Sequence, residues 1–253
     1  METSPTENQI NPPMPTKRWY RKWWGRIFLL ILFLFIALVV FTVYRISYYV
    51  SAIQRGDFSA FKGQIVDVRQ LGTPSQVNRF ELETSDDPRF GPEDAKVTIV
   101  EFSEFSCPFS QQNYQIVDSI RKKYADQVRF IFRDFPIVDI HPYALMGAEA
   151  ASCANEQGKF WEYHDYLFSH QGTYTTKDEL VAFAGQIGLD EQRFKMCMVA
   201  GSYHDEALMD LQDGIRFEVK GTPTFFFNGN RAAGVISEET FTQIIDGLLA
   251  KAR

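Results

Sequence analysis

Three cysteines carry most of the chemical potential of this 253-residue chain, and their surroundings differ in kind. Cys107 stands in FSEFSCPFSQQNY, after a strand-like apolar run and directly before Pro108, so its sulfur falls at the start of a helix. Unpaired N–H groups and the macrodipole at such a terminus favour a thiolate, the form of cysteine that acts as a nucleophile. Pro108 suits the first helical turn, where its missing N–H breaks no bond. The bland alternative is a core cysteine at a strand end, since free cysteine is often buried. Cys153 and Cys197 lie far apart in helical sequence, and neither has a second cysteine at short redox or metal spacing. Two readings stay open for them, a structural disulfide or two unpaired core thiols. A disulfide closing a loop of that length is worth about 4 kcal/mol in the chain-entropy model. Zinc has little support, because His141, His164, His170 and His204 show no ligand spacing with the cysteines. No metal and no cofactor are expected.

The elements that must position these residues can be read from periodicity. Val97–Phe102 (VTIVEF) reads as a buried strand, Pro108–Tyr124 as a helix and Val128–Phe132 (VRFIF) as a second strand, so a β-α-β unit opens the domain. From Pro142 to Val219 the apolar spacing is helical, with breaks near Gly158, Gly172, Gly188 and Gly201 that divide it into four or five short helices. Thr224–Phe227 (TFFF) returns to strand character, Asn228-Gly229 is a tight-turn signal leading to a short strand near Ala232, and Ser237 caps a last helix running through Leu249.

Whether thiols in this domain can be oxidised depends on its compartment, and the N-terminal region bears on that. Residues 27–44 (IFLLILFLFIALVVFTVY) contain no charge, Gly or Pro and are long enough as a helix to cross most of a hydrocarbon core. The run exceeds the roughly 7–15 residues of a signal-peptide core, so an anchor is the preferred reading. Val50-Ser51-Ala52 offers small residues at cleavage spacing but lies well downstream of the run. Lys17, Arg18, Arg21, Lys22 and Arg26 crowd the N-terminal flank against Arg45 and Arg55 on the other side, which puts the N-terminus in the cytoplasm. Trp19, Tyr20, Trp23 and Trp24, with Tyr44, Tyr48 and Tyr49, suit the two interfaces. The expected order is a cytoplasmic tail (1–26), a transmembrane helix (27–44), a stalk (45–92) with a short helix around residues 48–60, and an extracytoplasmic domain (93–253) with a helical insertion at about 140–218. Residues 1–50 carry a net +4 and residues 51–253 a net −10. An acidic domain without a basic stripe argues against nucleic acid as a partner. Outside the cytoplasm, three cysteines allow one internal disulfide and one odd thiol.

Cys107-Pro108-Phe109-Ser110 after VTIVEFSEF, together with Gly221-Thr222-Pro223-Thr224 before a strand, resembles the two halves of a thioredoxin-fold active site. With a helical block between them and AASCANEQGKFWEYHDYLF inside it, residues 90–250 resemble the DsbA-like thiol-disulfide oxidoreductases of the bacterial envelope. The resemblance implies an α/β thioredoxin fold with an inserted helical subdomain, here behind a single transmembrane helix. It implies that Thr222-Pro223 is a cis peptide facing Cys107, where the Thr222 backbone pairs with an extended substrate chain beside Pro108 and Phe109. Glu101, six residues before Cys107, matches the buried acid beneath the site, whose raised pKa would suit proton exchange with the thiol; the plainer reading is a partly exposed strand-end carboxylate. Phe105, Phe109 and Tyr114 read as packing or groove residues.

The sequence departs from the family at Ser110, where the motif has a second cysteine. Ser110 cannot close a disulfide, so the two-electron cycle of a dithiol is excluded at this pair. What remains is attack by Cys107 on a substrate disulfide and release by another thiol, with Ser110 able to donate a hydrogen bond to the thiolate. Cys153 or Cys197 could resolve the intermediate only by leaving their own pair. The leading expectation is a membrane-tethered monothiol isomerase or reductase acting on exported proteins and reset by a redox partner or small thiol. The competing one is a non-catalytic module that holds exported chains in the groove beside Pro223. A sulfenic acid on Cys107 formed by an oxidant is a third route, and nothing in the chain names that oxidant.

Overall fold

The structure, a computed structural model, describes residues 23–54 and 77–252. They fall into two units, one within residues 1–60 and one within 61–253.

The first unit is a single helix, α1 (Trp23–Gln54). Its stretch Arg26–Arg45 spans 20 residues, by length and composition enough to cross a membrane. The Thr42 hydroxyl inside this stretch donates to the Leu38 carbonyl at 2.8 Å, which satisfies it without outside partners. No Gly or Pro follows Tyr44 before Gln54, so the helix continues past the expected end at 44 and absorbs the first half of the short helix expected around 48–60. Residues 55–60, and the basic and aromatic positions before Trp23, lie outside the described residues.

The second unit has the order α2 (Arg79–Leu82), β1 (Arg89–Phe90), β2 (Val97–Ser103), α3 (Pro108–Lys123), β3 (Val128–Asp134), then α4 (Ala144–Asn155), α5 (Phe160–Ser169), α6 (Lys177–Gln186), α7 (Glu191–Ala200) and α8 (His204–Arg216), and finally β4 (Thr224–Phe227), β5 (Asn230–Ala233) and α9 (Glu238–Lys251). Among the described residues the strands form one sheet in the order β1-β3-β2-β4-β5. Strands β2 and β3 run parallel across the α3 crossover, and the remaining pairs are antiparallel.

Strand β2 is buried at all seven positions, as its near-continuous apolar run demands of a central strand. Val97 and Ile99 pack with Val117, Ile120, Phe241 and Ile245 from α3 and α9. Val100 and Phe102 point the other way, against Ile131, Phe135, Phe217 and Phe226. Ser237 caps α9 by accepting the Thr240 N–H at 3.2 Å, and Thr176 and Glu179 form a reciprocal capping box at α6. In the β4–β5 turn Asn228 and Gly229 both have positive φ, and a Cβ on Gly229 would lie 2.1 Å from the Val77 carbonyl oxygen. Only glycine fits that approach.

Residues 77–92, expected to form part of the stalk, pack into the domain instead. Leu82 is buried in the cluster of Val100 and Phe102, and Arg89 and Phe90 pair with Ile131 and Phe130 as an edge strand. A one-turn helix and a two-residue strand are too short to show a period, so their membership of the domain rests on contacts with distant residues.

The five helices α4–α8 form the region between β3 and β4, with breaks at the four expected glycines. Their core joins Tyr163, Leu167, Phe168 and Phe194 to Phe105 and Phe132 of the sheet half. Cys153 of α4 and Cys197 of α7 are disulfide-bonded, with Cα atoms 5.9 Å apart.

Candidate active site

Strand β2 ends at Ser103, and four residues later the chain turns into α3 with Cys107 in the cap position and Pro108 in the first turn. The Cys107 N–H donates back to the Glu104 carbonyl at 3.3 Å, and its own carbonyl accepts the first helical bond from Gln111 at 3.0 Å. Cys107 is the free thiol, 5% exposed, and its Sγ donates to the Thr222 carbonyl at 3.3 Å. The Thr222-Pro223 peptide is cis. Two segments 115 positions apart therefore meet at the sulfur. Thr222 and Pro223 are buried, while Pro108 and Phe109 are partly exposed beside them. The Thr222 hydroxyl is buried with no hydrogen-bond partner among the described residues.

Glu101 is 6% exposed, and burial raises its carboxyl from 4.5 to about 7, against the opposing effects of a hydrogen bond with Ser103 and the charge of Arg121. Its route toward the helix runs through hydroxyls: Ser103 Oγ lies 2.8 Å from Ser110 Oγ, and both serines are fully buried. Ser110 Oγ thus accepts from Ser103 of the strand, and among the described residues no bond joins it to the sulfur. Phe105 is a core residue, stacked on Phe132 at 5.3 Å, and Tyr114 stacks on Phe168 at 5.4 Å.

One acid beside the thiol escaped the sequence reading. Glu104 is almost fully buried, its carboxylate accepts the Ile137 N–H at 3.0 Å, and it pairs with His141 Nδ1. Burial raises its pKa, opposed by His141 and by the Ile137 bond. Its partners lie 33 and 37 positions downstream, so no local pattern announces them. A second buried group lies on the opposite side of the sheet. Arg133 of β3 donates from Nε to Asp210 Oδ1 at 2.9 Å and from Nη2 to Asp213 at 2.8 Å, with Asp87 3.5 Å away. Burial, together with the neighbouring acids, raises Asp87 and Glu206 to about 7. Among the described residues no group of three or more His, Cys, Asp or Glu is arranged to hold a metal ion.

The sequence profile of the family described as Thioredoxin matches residues 83–247, and the chain belongs to this family. Its architecture is a mixed α/β thioredoxin fold with a helical region between the third and fourth strands. Among solved structures, oxidised BdbD from Bacillus subtilis superposes with a TM-score of 0.61 at 21% identity, covering 66% of this chain and 95% of that one. A thioredoxin-like oxidoreductase from Silicibacter pomeroyi gives 0.60 at 22% identity, over 70% and 99% of the two chains. The α-DsbA1 protein of Wolbachia pipientis gives 0.60 at 21%, over 69% and 96%. At these identities the likeness establishes the fold. In sequence, the chain is 38% identical over 163 residues to the Na(+)/H(+) antiporter NhaA 3 of Salinispora tropica, and 30% identical over 169 residues to the Na(+)/H(+) antiporter NhaA of Herminiimonas arsenicoxydans. These matches take in 64% and 65% of this chain and 25% and 27% of those proteins, so the chain spans about a quarter of their length.

Proposed function

We propose that the chain is a membrane-tethered thiol-disulfide exchange protein that acts on exported proteins through Cys107 alone. The observation that carries this reading is the free Cys107 at the cap of α3, facing the Thr222 carbonyl, while Cys153 and Cys197 are bonded to each other. The apolar stretch Arg26–Arg45 supports the tether, and the positive-inside pattern of its flanks supports an extracytoplasmic domain.

In the first step the Cys107 thiolate attacks one sulfur of a substrate disulfide; that S–S bond breaks, a mixed disulfide forms, and the second substrate sulfur leaves as a thiolate that takes a proton. The backbone of Thr222, with Pro223, Pro108 and Phe109, receives the extended substrate around the reacting sulfur. Glu101, its carboxyl poised near neutral pH by burial, is the buried acid available to exchange the proton, and the Ser103–Ser110 hydroxyl pair carries its hydrogen bonding from the strand to the start of α3. In the second step another thiolate attacks the mixed disulfide and frees Cys107. When that thiolate belongs to the substrate, the pairing is rearranged with no net transfer of electrons. When two small thiols act in turn, one substrate disulfide is reduced and one small-thiol disulfide is produced. Ser110 cannot supply the resolving sulfur, which is why an outside thiol is required.

The 5% exposure of Cys107 favours one other reading, a module that binds exported chains without covalent chemistry. The test is to incubate the purified full chain in detergent with a protein carrying mispaired disulfides and a small thiol. Recovery of native pairing, with substrate trapped on Cys107 in mass spectra and both signals lost in Cys107→Ala, is the expected result. Binding with no covalent species and no change in pairing would replace exchange by the binding reading.

A further inference from the structure

The loop Glu104–Cys107 makes a second set of contacts, with the inserted helices, that the exchange chemistry above does not use. Gln171 lies in the turn between α5 and α6, and its side-chain nitrogen donates to two carbonyls of that loop, Phe105 at 2.9 Å and Cys107 at 3.0 Å. A primary amide nitrogen has two hydrogens, and both are committed to carbonyls two residues apart, on either side of Ser106. The turn is built to present this side chain. Gly172 takes a φ of +79°, and the N–H and hydroxyl of Thr173 both donate to the His170 carbonyl, at 3.1 and 2.7 Å. A bond in the reverse direction crosses the same seam, where the Gln111 amide of α3 donates to the Phe168 carbonyl of α5 at 3.0 Å.

We propose that Gln171 is a positioning residue for Cys107, a reading that rests on Cys107 being the nucleophile. The carbonyls of Phe105 and Cys107 carry partial negative charge close to the sulfur. Without the Gln171 amide the Phe105 carbonyl loses that donor and the Cys107 carbonyl keeps the Gln111 N–H of α3, so their partial charge bears more strongly on a developing thiolate and the loop is freer to turn. The Gln171 amide offsets that charge and fixes the loop, so that the sulfur is held at the helix start and beside Thr222. The inserted helices thereby reach the chemistry through this side chain as well as through the packing of Phe105.

The test measures the alkylation rate of Cys107 by iodoacetamide in the detergent-solubilised full chain and in Gln171→Ala and Gln171→Glu, from mildly acid to mildly alkaline pH. Taking the ratio of each variant to the parent removes what the neighbouring Glu104, His141 and Glu101 contribute to both proteins and leaves the effect of position 171 on the sulfur. Gln171→Ala is expected to slow alkylation about tenfold at acid and neutral pH, the effect of two lost hydrogen bonds, with the slowing narrowing toward alkaline pH where the thiol is ionised in both proteins and with the melting transition still cooperative. Gln171→Glu is expected to be slower still at alkaline pH and to recover toward the parent on acidification, because a protonated carboxyl donates again and a carboxylate cannot. Parent-like rates in both variants, or a parallel loss at all pH that follows a lowered melting temperature, would overturn the proposal. If alkylation depends on Gln171 while the parent rearranges no disulfides, positioning stands and exchange falls.

Discussion

On the face of the sheet that meets α3, Glu101 is a buried carboxyl linked toward the helix by two buried hydroxyls and within the field of Arg121. On the opposite face Arg133 is enclosed by Asp87, Asp210 and Asp213, with Asp134 and Glu206 nearby, whose carboxyls burial and the neighbouring acids push up. Both faces hold carboxyls raised to about 7, so titration behaviour does not distinguish them. What differs is the neighbour: a thiol at a helix start near one, a guanidinium packed on Phe102 at 5.2 Å beside the other. Perturbed acids mark both reactive sites and structural ion clusters, and the nearby nucleophile decides between them.

The sharpest way to break this contrast is to remove the guanidinium. Arg133→Met leaves Asp87 and Asp210 buried without a counter-charge and is expected to cost about 3–5 kcal/mol in urea unfolding, while Cys107 in the folded fraction alkylates at the parent rate. A fall in Cys107 reactivity without a fall in stability would show that the two faces are not separate.

Glu101→Gln acts on the other face. The Glu101 carboxyl titrates at 4.5 in the unfolded chain and at about 7 in the folded one, so both states hold the proton below 4.5. Between those values the unfolded chain loses its proton while the folded chain keeps it, and stability falls as pH rises; above 7 the loss is complete. The shift corresponds to at most about 3 kcal/mol. The variant is therefore expected to be more stable than the parent above neutral pH, with the gain vanishing in acid, and to exchange disulfides more slowly. An unchanged exchange rate would reduce Glu101 to a packing residue.

The smallest effect belongs to Glu206→Gln, on a side chain reached by water. Its stabilisation above neutral pH is expected to stay below about 1 kcal/mol after solvent screening, with no change at Cys107. Thermal unfolding across pH, with alkylation run in parallel, reads both.

Much of this molecule is legible in local sequence. The β-α-β start, the glycine breaks of the helical region, the Asn228-Gly229 turn, the Ser237 cap and the Cys107-Pro108 helix start each depend on residues within one or two turns of one another, where periodicity and capping act. The long apolar run is legible for the same reason, although the helix continues to Gln54 because no breaker follows it. Only the tertiary structure decided that Ser110 bonds to Ser103, that Glu104 is pinned by Ile137 and His141, that Gln171 reaches the active-site loop and that Arg133 gathers acids from two distant segments. Most of these partners lie tens of positions apart, 64 for Gln171 and Cys107 and 77 for Arg133 and Asp210. Their side chains meet because the sheet order and the packing of the inserted helices bring them together, and no local spacing encodes that meeting.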